Sequence, residues 1–137
     1  MNLIACVDDK MGMMFHHRRQ SRDRKVIEDI IKHCENKPLY MTSYSYQLFA
    51  QTNAKNIIII ENFTEITDHE AFCFVEEFSP SAFLKLWDEI ILYHWNRHYP
   101  GDLFFDINLQ QTPWKQIEET IFTGYSHETI KKEIYRR

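Results

Sequence analysis

Glycine is scarce in this chain, with three among 137 residues. Loops that cradle nucleotide phosphates draw on several glycines, because only a residue without a Cβ lets the backbone come close to a phosphate. A glycine-rich phosphate loop is therefore excluded. Cysteine is sparse too. Cys6, Cys34 and Cys73 are an odd number with no framework spacing, and Cys6 and Cys73 fall in apolar, strand-like runs. They read as reduced, buried thiols of a cytoplasmic protein. No apolar run approaches the roughly 18 residues that a membrane span needs. The first run, Leu3 to Val7, is too short for a secretory signal. The chain also lacks internal repeats, low-complexity segments, linkers and any DNA-binding motif.

What is present is a normal core. Apolar residues make up 44% and aromatics 15%, which argues against disorder. The length suits one domain, residues 1–137, able to bury about two-thirds of its unfolded surface. The net charge is −4, unevenly spread. Residues 16 to 25, His-His-Arg-Arg-Gln-Ser-Arg-Asp-Arg-Lys, hold five of the 16 basic residues and one of the 20 acids.

The pattern predicts a strand over residues 2–8, then a basic loop. Val26, Ile27, Ile30, Ile31 and Cys34 recur at three- and four-residue steps, the stripe of a helix with Ser21 as its N-cap and Asn36 and Pro38 ending it. A short strand follows at Leu39 to Met41. A helix from Tyr44 to Ala50 is capped by Thr42 or Ser43. Ile57 to Ile60, within 56–61, suit a central strand covered on both faces. Ala71 to Val75 is another strand, and Ser79-Pro80 opens a helix to about Trp87. A strand over 89–97 runs towards Pro100-Gly101-Asp102, whose residues each favour a turn. Phe104 and Phe105 point to opposite sides if extended, so at least one faces a second layer. Trp114 to Glu119 and Tyr125 to Tyr135 fit a closing antiparallel pair, the second also readable as a helix from Ser126. Alternation with short connections implies an α/β protein with a mostly parallel sheet.

Over nearly its whole length the chain resembles dihydrofolate reductase, in shortened form. Leu3 to Val7 running into Met11-Gly12 is similar to that family's first strand and its isoleucine-glycine pair. Asp23 falls at the position of the catalytic carboxylate, in the first turn of the next helix. The preceding Phe15-His16-His17 departs from the family's leucine-proline-tryptophan. Met41-Thr42-Ser43 before Ser45-Tyr46, Lys55-Asn56-Ile57-Ile58, and Gly101-Asp102 with Phe105 resemble further family segments in order. The resemblance implies a three-layer α/β sandwich with a mostly parallel central sheet and a C-terminal antiparallel hairpin. It also implies NADPH as cofactor and a pterin or folate as substrate.

The ligand-binding positions depart from that pattern. Where the family has paired glycines against the cofactor diphosphate, this chain has Glu76 and Glu77. At about 4 Å each like-charge contact costs on the order of 1 kcal/mol in water and about 4 kcal/mol at an effective dielectric near 20. The arginine for the cofactor's 2′-phosphate falls on Ser43, and the one for the folate glutamate on Ala54; neither replaces a bidentate guanidinium. These departures disfavour NADPH, and no cofactor is expected.

Asp23 is the candidate catalytic acid, though Arg22 and Arg24 beside it would lower its pKa, the wrong direction for a proton donor. Equally, an acid at a helix start gains from the helix dipole. Arg18, Arg19, Arg22, Arg24 and Lys25 are the candidate anion-binding group, at a helix N-terminus; the alternatives are a solvated loop or internal pairing. Specifically, Arg18 or Arg19 could neutralise Glu76 or Glu77 and fill the cofactor slot. No metal site is expected. His16 and His17 are adjacent, and His94 and His98 lie about 13 Å apart if on a strand. Ser126-His127 as consecutive strand residues would face opposite ways. Tyr44, Tyr46, Tyr93 and Trp95 read as core and rim aromatics.

Three functions follow. The first is a diverged, non-reducing domain that binds an anionic small molecule, a nucleotide or a protein partner. The second is an NADPH-dependent reductase of a pterin-type ring, resting on Asp23 and the fold. The third is RNA binding or processing. The ribonuclease Z type would need a histidine-x-histidine-x-aspartate-histidine metal motif, which the sequence lacks, while the arginines leave RNA binding open. An exposed edge after residue 125 leaves a homodimer open.

Overall fold

The computed structural model describes residues 1–137. A seven-stranded sheet forms its centre. Its strands are β1 (Asn2–Val7), β4 (Leu39–Met41), β5 (Ile57–Ile59), β6 (Phe72–Phe74), β7 (Glu89–His94), β9 (Lys115–Phe122) and β10 (Ile130–Arg136), in the order β5-β4-β6-β1-β7-β10-β9. From β5 to β7 every pairing is parallel, and β10 runs antiparallel to both β7 and β9. The expected parallel sheet with a closing antiparallel pair is thus present. A second, three-stranded sheet of β3 (Arg18–Arg19), β2 (Gly12–Phe15) and β8 (Leu103–Phe104) lies outside the sequence reading.

Strand alternation divides the core. Leu3, Ala5, Val7, Cys73, Val75, Ile90 and Leu92 face one side, packed with Trp87, Phe63, Phe105 and Trp114. Ile4, Phe72, Phe74, Ile91 and Tyr93 face the other, against Val26, Ile30 and Cys34. Val26 and Ile30 belong to helix α1 (Arg24–His33), whose apolar stripe is the expected one. Its N-cap is Asp23, not Ser21. Asp23 has extended backbone and its side chain accepts from the Lys25 N–H. A carboxylate two residues before that donor satisfies an orphan N–H directly.

Other expectations need correction. The isoleucine run forms β5, an edge strand and not a central one, with Ile58 and Ile59 exposed. Apolar content cannot tell an edge from a centre, because that depends on which strands flank it. The helix after Thr42 is only α2 (Ser43–Tyr46), with turns beyond it, and Pro80–Leu86 is a 3-10 segment broken at Phe83. Residues after Ser126 form no helix. β7 stops at His94, and Asn96 takes a positive φ of 57°. His16 and His17 occupy a two-residue hairpin turn between β2 and β3, both at positive φ (49° and 62°). Such turns demand that backbone. Phe104 is exposed while Phe105 is buried, as adjacent extended residues must be.

Candidate functional site

β3 carries Arg19 across to the end of β6. Its guanidinium meets Glu76 in a bidentate pair, Nε to Oε2 at 2.9 Å and Nη2 to Oε1 at 3.1 Å. The side chains are 16% and 10% exposed. Tyr44 supports the arginine three ways: its ring lies 4.3 Å beneath the guanidinium, its hydroxyl accepts from the Arg19 N–H, and its carbonyl accepts from Nη2. Burial works against the Arg19 charge, but the bonds and charge of Glu76 outweigh it and raise the pKa. Ser45 Oγ donates to the same Glu76 Oε1 at 2.8 Å.

The start of α2 is occupied by the chain's own carboxylates. The Ser43 N–H donates to Glu61 at 3.0 Å, and Thr42 Oγ1 donates to Glu77. The Ser43 backbone bond is the main cause holding the exposed Glu61 carboxyl below its usual value. Ser43, Glu76 and Glu77, the positions that the resemblance gives to the cofactor phosphates, therefore sit in one place. Each has an intramolecular partner there. Arg19, Val75 and Glu76, with Asp23, Cys6 and Trp95, surround a void of only about 10 Å³. That is about the space of one water molecule.

Asp23 is buried and fully engaged. Oδ1 accepts from the N–H groups of Lys25 (2.8 Å) and Tyr125 (2.9 Å). Oδ2 accepts from the N–H groups of Ser126 (2.9 Å) and His127 (3.1 Å), from Ser126 Oγ (3.2 Å) and from His127 Nδ1 (2.8 Å). Burial alone would raise its pKa. The Tyr125 N–H, the His127 ring and the other donors overcome that and hold it well below the usual carboxylate range. At neutral pH Asp23 is an anion with no proton to give. Gly124 makes the embrace possible, since a Cβ there would lie 2.7 Å from Asp23 Oδ2.

His127 lies in the bend between β9 and β10, not on a strand, so the opposite-faces expectation does not apply to it. Ser126 Oγ lies 3.3 Å from Nδ1, but the serine at Nε2 is Ser21. Nε2 stands 2.9 Å from Ser21 Oγ and 3.2 Å from the Tyr99 hydroxyl, and the ring stacks on Trp95 at 4.7 Å. Ser21 is half-buried, whereas His127 is buried. Sequence reasoning missed this cluster, because its members are 106 residues apart and no local pattern links them.

A second feature is an open cleft of about 1290 Å³ between α1 and the segment 48–56, lined also by Tyr125 and Ser126. Arg22, Arg24, Lys32 and Lys55 line it against Glu28, Glu35 and the engaged Asp23, with Ile27, Ile31 and Leu48 beneath. Ala54 is in its wall. The basic stretch is thus divided. Arg19 is turned inward, Lys25 pairs with Glu28, Arg24 stacks on Tyr125, and Arg18 is exposed on β3. Arg22 and Arg24 have no carboxylate within salt-bridge distance and border the cleft. No cluster of three or more His, Cys, Asp or Glu side chains could hold a metal ion. No helix is long and apolar enough to cross a membrane.

No protein-family model matches the sequence, and no curated protein matches it. Among solved structures the chain is similar to the dihydrofolate reductase of Enterococcus faecalis complexed with NADP(H) and RAB-propyl. The TM-score is 0.69, the alignment covers 99% of this chain and 95% of that one, and 10% of residues are identical. The fold is that of dihydrofolate reductase. At this identity the likeness concerns the fold alone.

Proposed function

We propose that this chain is a dihydrofolate-reductase-fold domain that does not carry out NADPH-dependent folate reduction and instead binds an anionic ligand in the α1 cleft. The observation that carries the first half is the Arg19–Glu76 pair. A dinucleotide phosphate entering there would have to break it and face Glu61, Glu76 and Glu77 across donors already bonded. Asp23 supports the same reading, because a carboxylate held ionised by six donors is no general acid. For the second half, Arg22, Arg24 and Lys55 offer cations without carboxylate partners over an apolar floor. That combination suits a small molecule with an anionic group and an apolar body.

A thermal-shift series with NADPH, folates, mononucleotides, organic phosphates and short RNA tests this. A ligand at 100 times its dissociation constant adds about 2.7 kcal/mol, which at roughly 3–5 °C per kcal/mol for this size is a shift of roughly 8–13 °C. NADPH should give none. An anionic small molecule should shift the wild type, and Arg22→Ala with Arg24→Ala should remove the shift. A clear NADPH shift would overturn the reading and restore the reductase alternative. A shift with RNA alone would replace the small-molecule ligand with RNA.

A further inference from the structure

Asp23, His127 and Ser21 form a chain of hydrogen bonds that the anion-binding reading does not use. Asp23 Oδ2 lies 2.8 Å from His127 Nδ1, and His127 Nε2 lies 2.9 Å from Ser21 Oγ. An ionised carboxylate only accepts, so Nδ1 carries the proton. With the ring neutral, Nε2 presents its lone pair and the Ser21 hydroxyl can donate to it. This is the tautomer and direction that a serine nucleophile requires. The carboxylate fixes the ring, the ring takes the hydroxyl proton, and the carboxylate itself is never protonated. The many donors to Asp23, which disqualify it as an acid, suit this supporting role.

The surroundings hold the same geometry. Trp95 stacks on one face of the imidazole at an interplanar angle of 23°. Ser126 Oγ is 3.3 Å from Nδ1, and the Tyr99 hydroxyl is 3.2 Å from Nε2 and 3.4 Å from Ser21 Oγ. Tyr99 can thus hold the ring when Ser21 turns to a substrate. Ser21 is half-buried, and its neighbour Arg22 borders the open cleft. The backbone N–H of Arg22, the next residue, has no acceptor within the chain. Arg22 lines both the open cleft and the small void beside Ser21. An N–H just after the nucleophile is where an oxyanion finds its donor in acyl transfer.

We infer that Ser21 is an acyl-transfer nucleophile with His127 as its general base and Asp23 as a positioning residue, acting on a small carboxylic ester. Ser21 Oγ bonds to the ester carbonyl carbon as its proton passes to Nε2. The carbon–oxygen bond to the alcohol then breaks, and the leaving alkoxide takes that proton. Water attacks the acyl-serine with the same base and releases the acid. No oxidant, reductant or metal enters. The inference is independent of whether the cleft binds an anion.

The test treats the full chain with a fluorophosphonate, which phosphonylates activated serines, and follows p-nitrophenyl acetate hydrolysis in parallel. One adduct should form, mapped to Ser21 by peptide mass. It should vanish in Ser21→Ala and form about 10²–10⁴-fold more slowly in His127→Gln, the usual contribution of a general base. Ser21→Ala removes one half-buried hydroxyl, so its thermal midpoint should stay close to wild type and show that it is folded. Should His127→Gln fail to fold, Ser21→Cys replaces it as the probe. The new thiol should react with iodoacetamide at neutral pH at least about tenfold faster than free cysteine, since a paired imidazole favours thiolate. No adduct on the wild type, an adduct on Ser126 instead, labelling indifferent to His127, or an ordinary rate for the introduced thiol would each overturn the inference.

Discussion

Replacing Arg19 with Met keeps an apolar stem over Tyr44 and removes the guanidinium. Glu76 is then left as a carboxylate with a 10%-exposed side chain and only Ser45 Oγ to hold it. Breaking a fully buried ion pair from one side costs about 3–5 kcal/mol. Residual exposure on both partners and the surviving serine donor reduce that to about 2–3 kcal/mol here. Urea unfolding followed by tryptophan fluorescence suits the measurement, because Trp87, Trp95 and Trp114 are all buried. Glu76→Gln alone should also destabilise, by leaving Arg19 charged and unpaired. The double variant should recover part of the loss, giving a coupling of at least about 1 kcal/mol. If the two single effects add to within about 0.5 kcal/mol, the pair does not hold the slot together, and the account of its closure fails.

Acid should weaken the fold in a defined window. The folded-state pKa values of Asp8 and Asp23 lie below their ordinary values, so both stabilise fully above the unfolded value near 3.9, and the contribution is lost as pH falls from about 4 downward. Urea midpoints between pH 7 and pH 2.5 should drop more shallowly in Asp23→Asn; an unchanged slope would refute this. His33 is pushed below its usual value by burial and by Lys132, so the unfolded chain takes up its proton first and stability falls below about pH 6.5. His33→Gln should flatten the profile between pH 6.5 and 5. Gly124→Ala should cost about 2 kcal/mol or more in the same assay, because its methyl would meet both Asp23 Oδ2 and the His127 carbonyl at 2.7 Å. A loss under about 0.5 kcal/mol would show that the turn gives way freely. Burial pushes the Cys34 and Cys73 thiols up to about 12 and raises Cys6 well above its ordinary value. A thiol reagent should therefore find three fast groups in denaturant and none in the native chain.

Much of the fold was legible because period and breakers are local. The α1 stripe, the parallel strands and the closing pair all follow from residues within one element. The Arg19–Glu76 pair was legible for a different reason: the resemblance put the first loop and the end of β6 at one cleft, and opposite charges stood in both. What escaped depended on remote context. Four isoleucines in a row look central, yet β5 has no strand on its far side. His16-His17 carry no glycine, so their hairpin turn gave no composition signal. The bond between His127 and Ser21 joins a bend near the C-terminus to the residue two before a helix cap. No spacing rule reaches across 106 positions.

The cap of α1 comes from one end of the chain and most of the groups that hold it from the other. Tyr125, Ser126 and His127 supply most of the donors to Asp23, and β10 then inserts between β7 and β9. As the polypeptide leaves a ribosome, the first helix must wait with only the Lys25 N–H on its capping carboxylate until residues 125 to 127 arrive. Closure of this cap thus follows synthesis of residues 125 to 127, and a chain stopped short of Tyr125 would be handed to chaperones and proteases in an unfinished form.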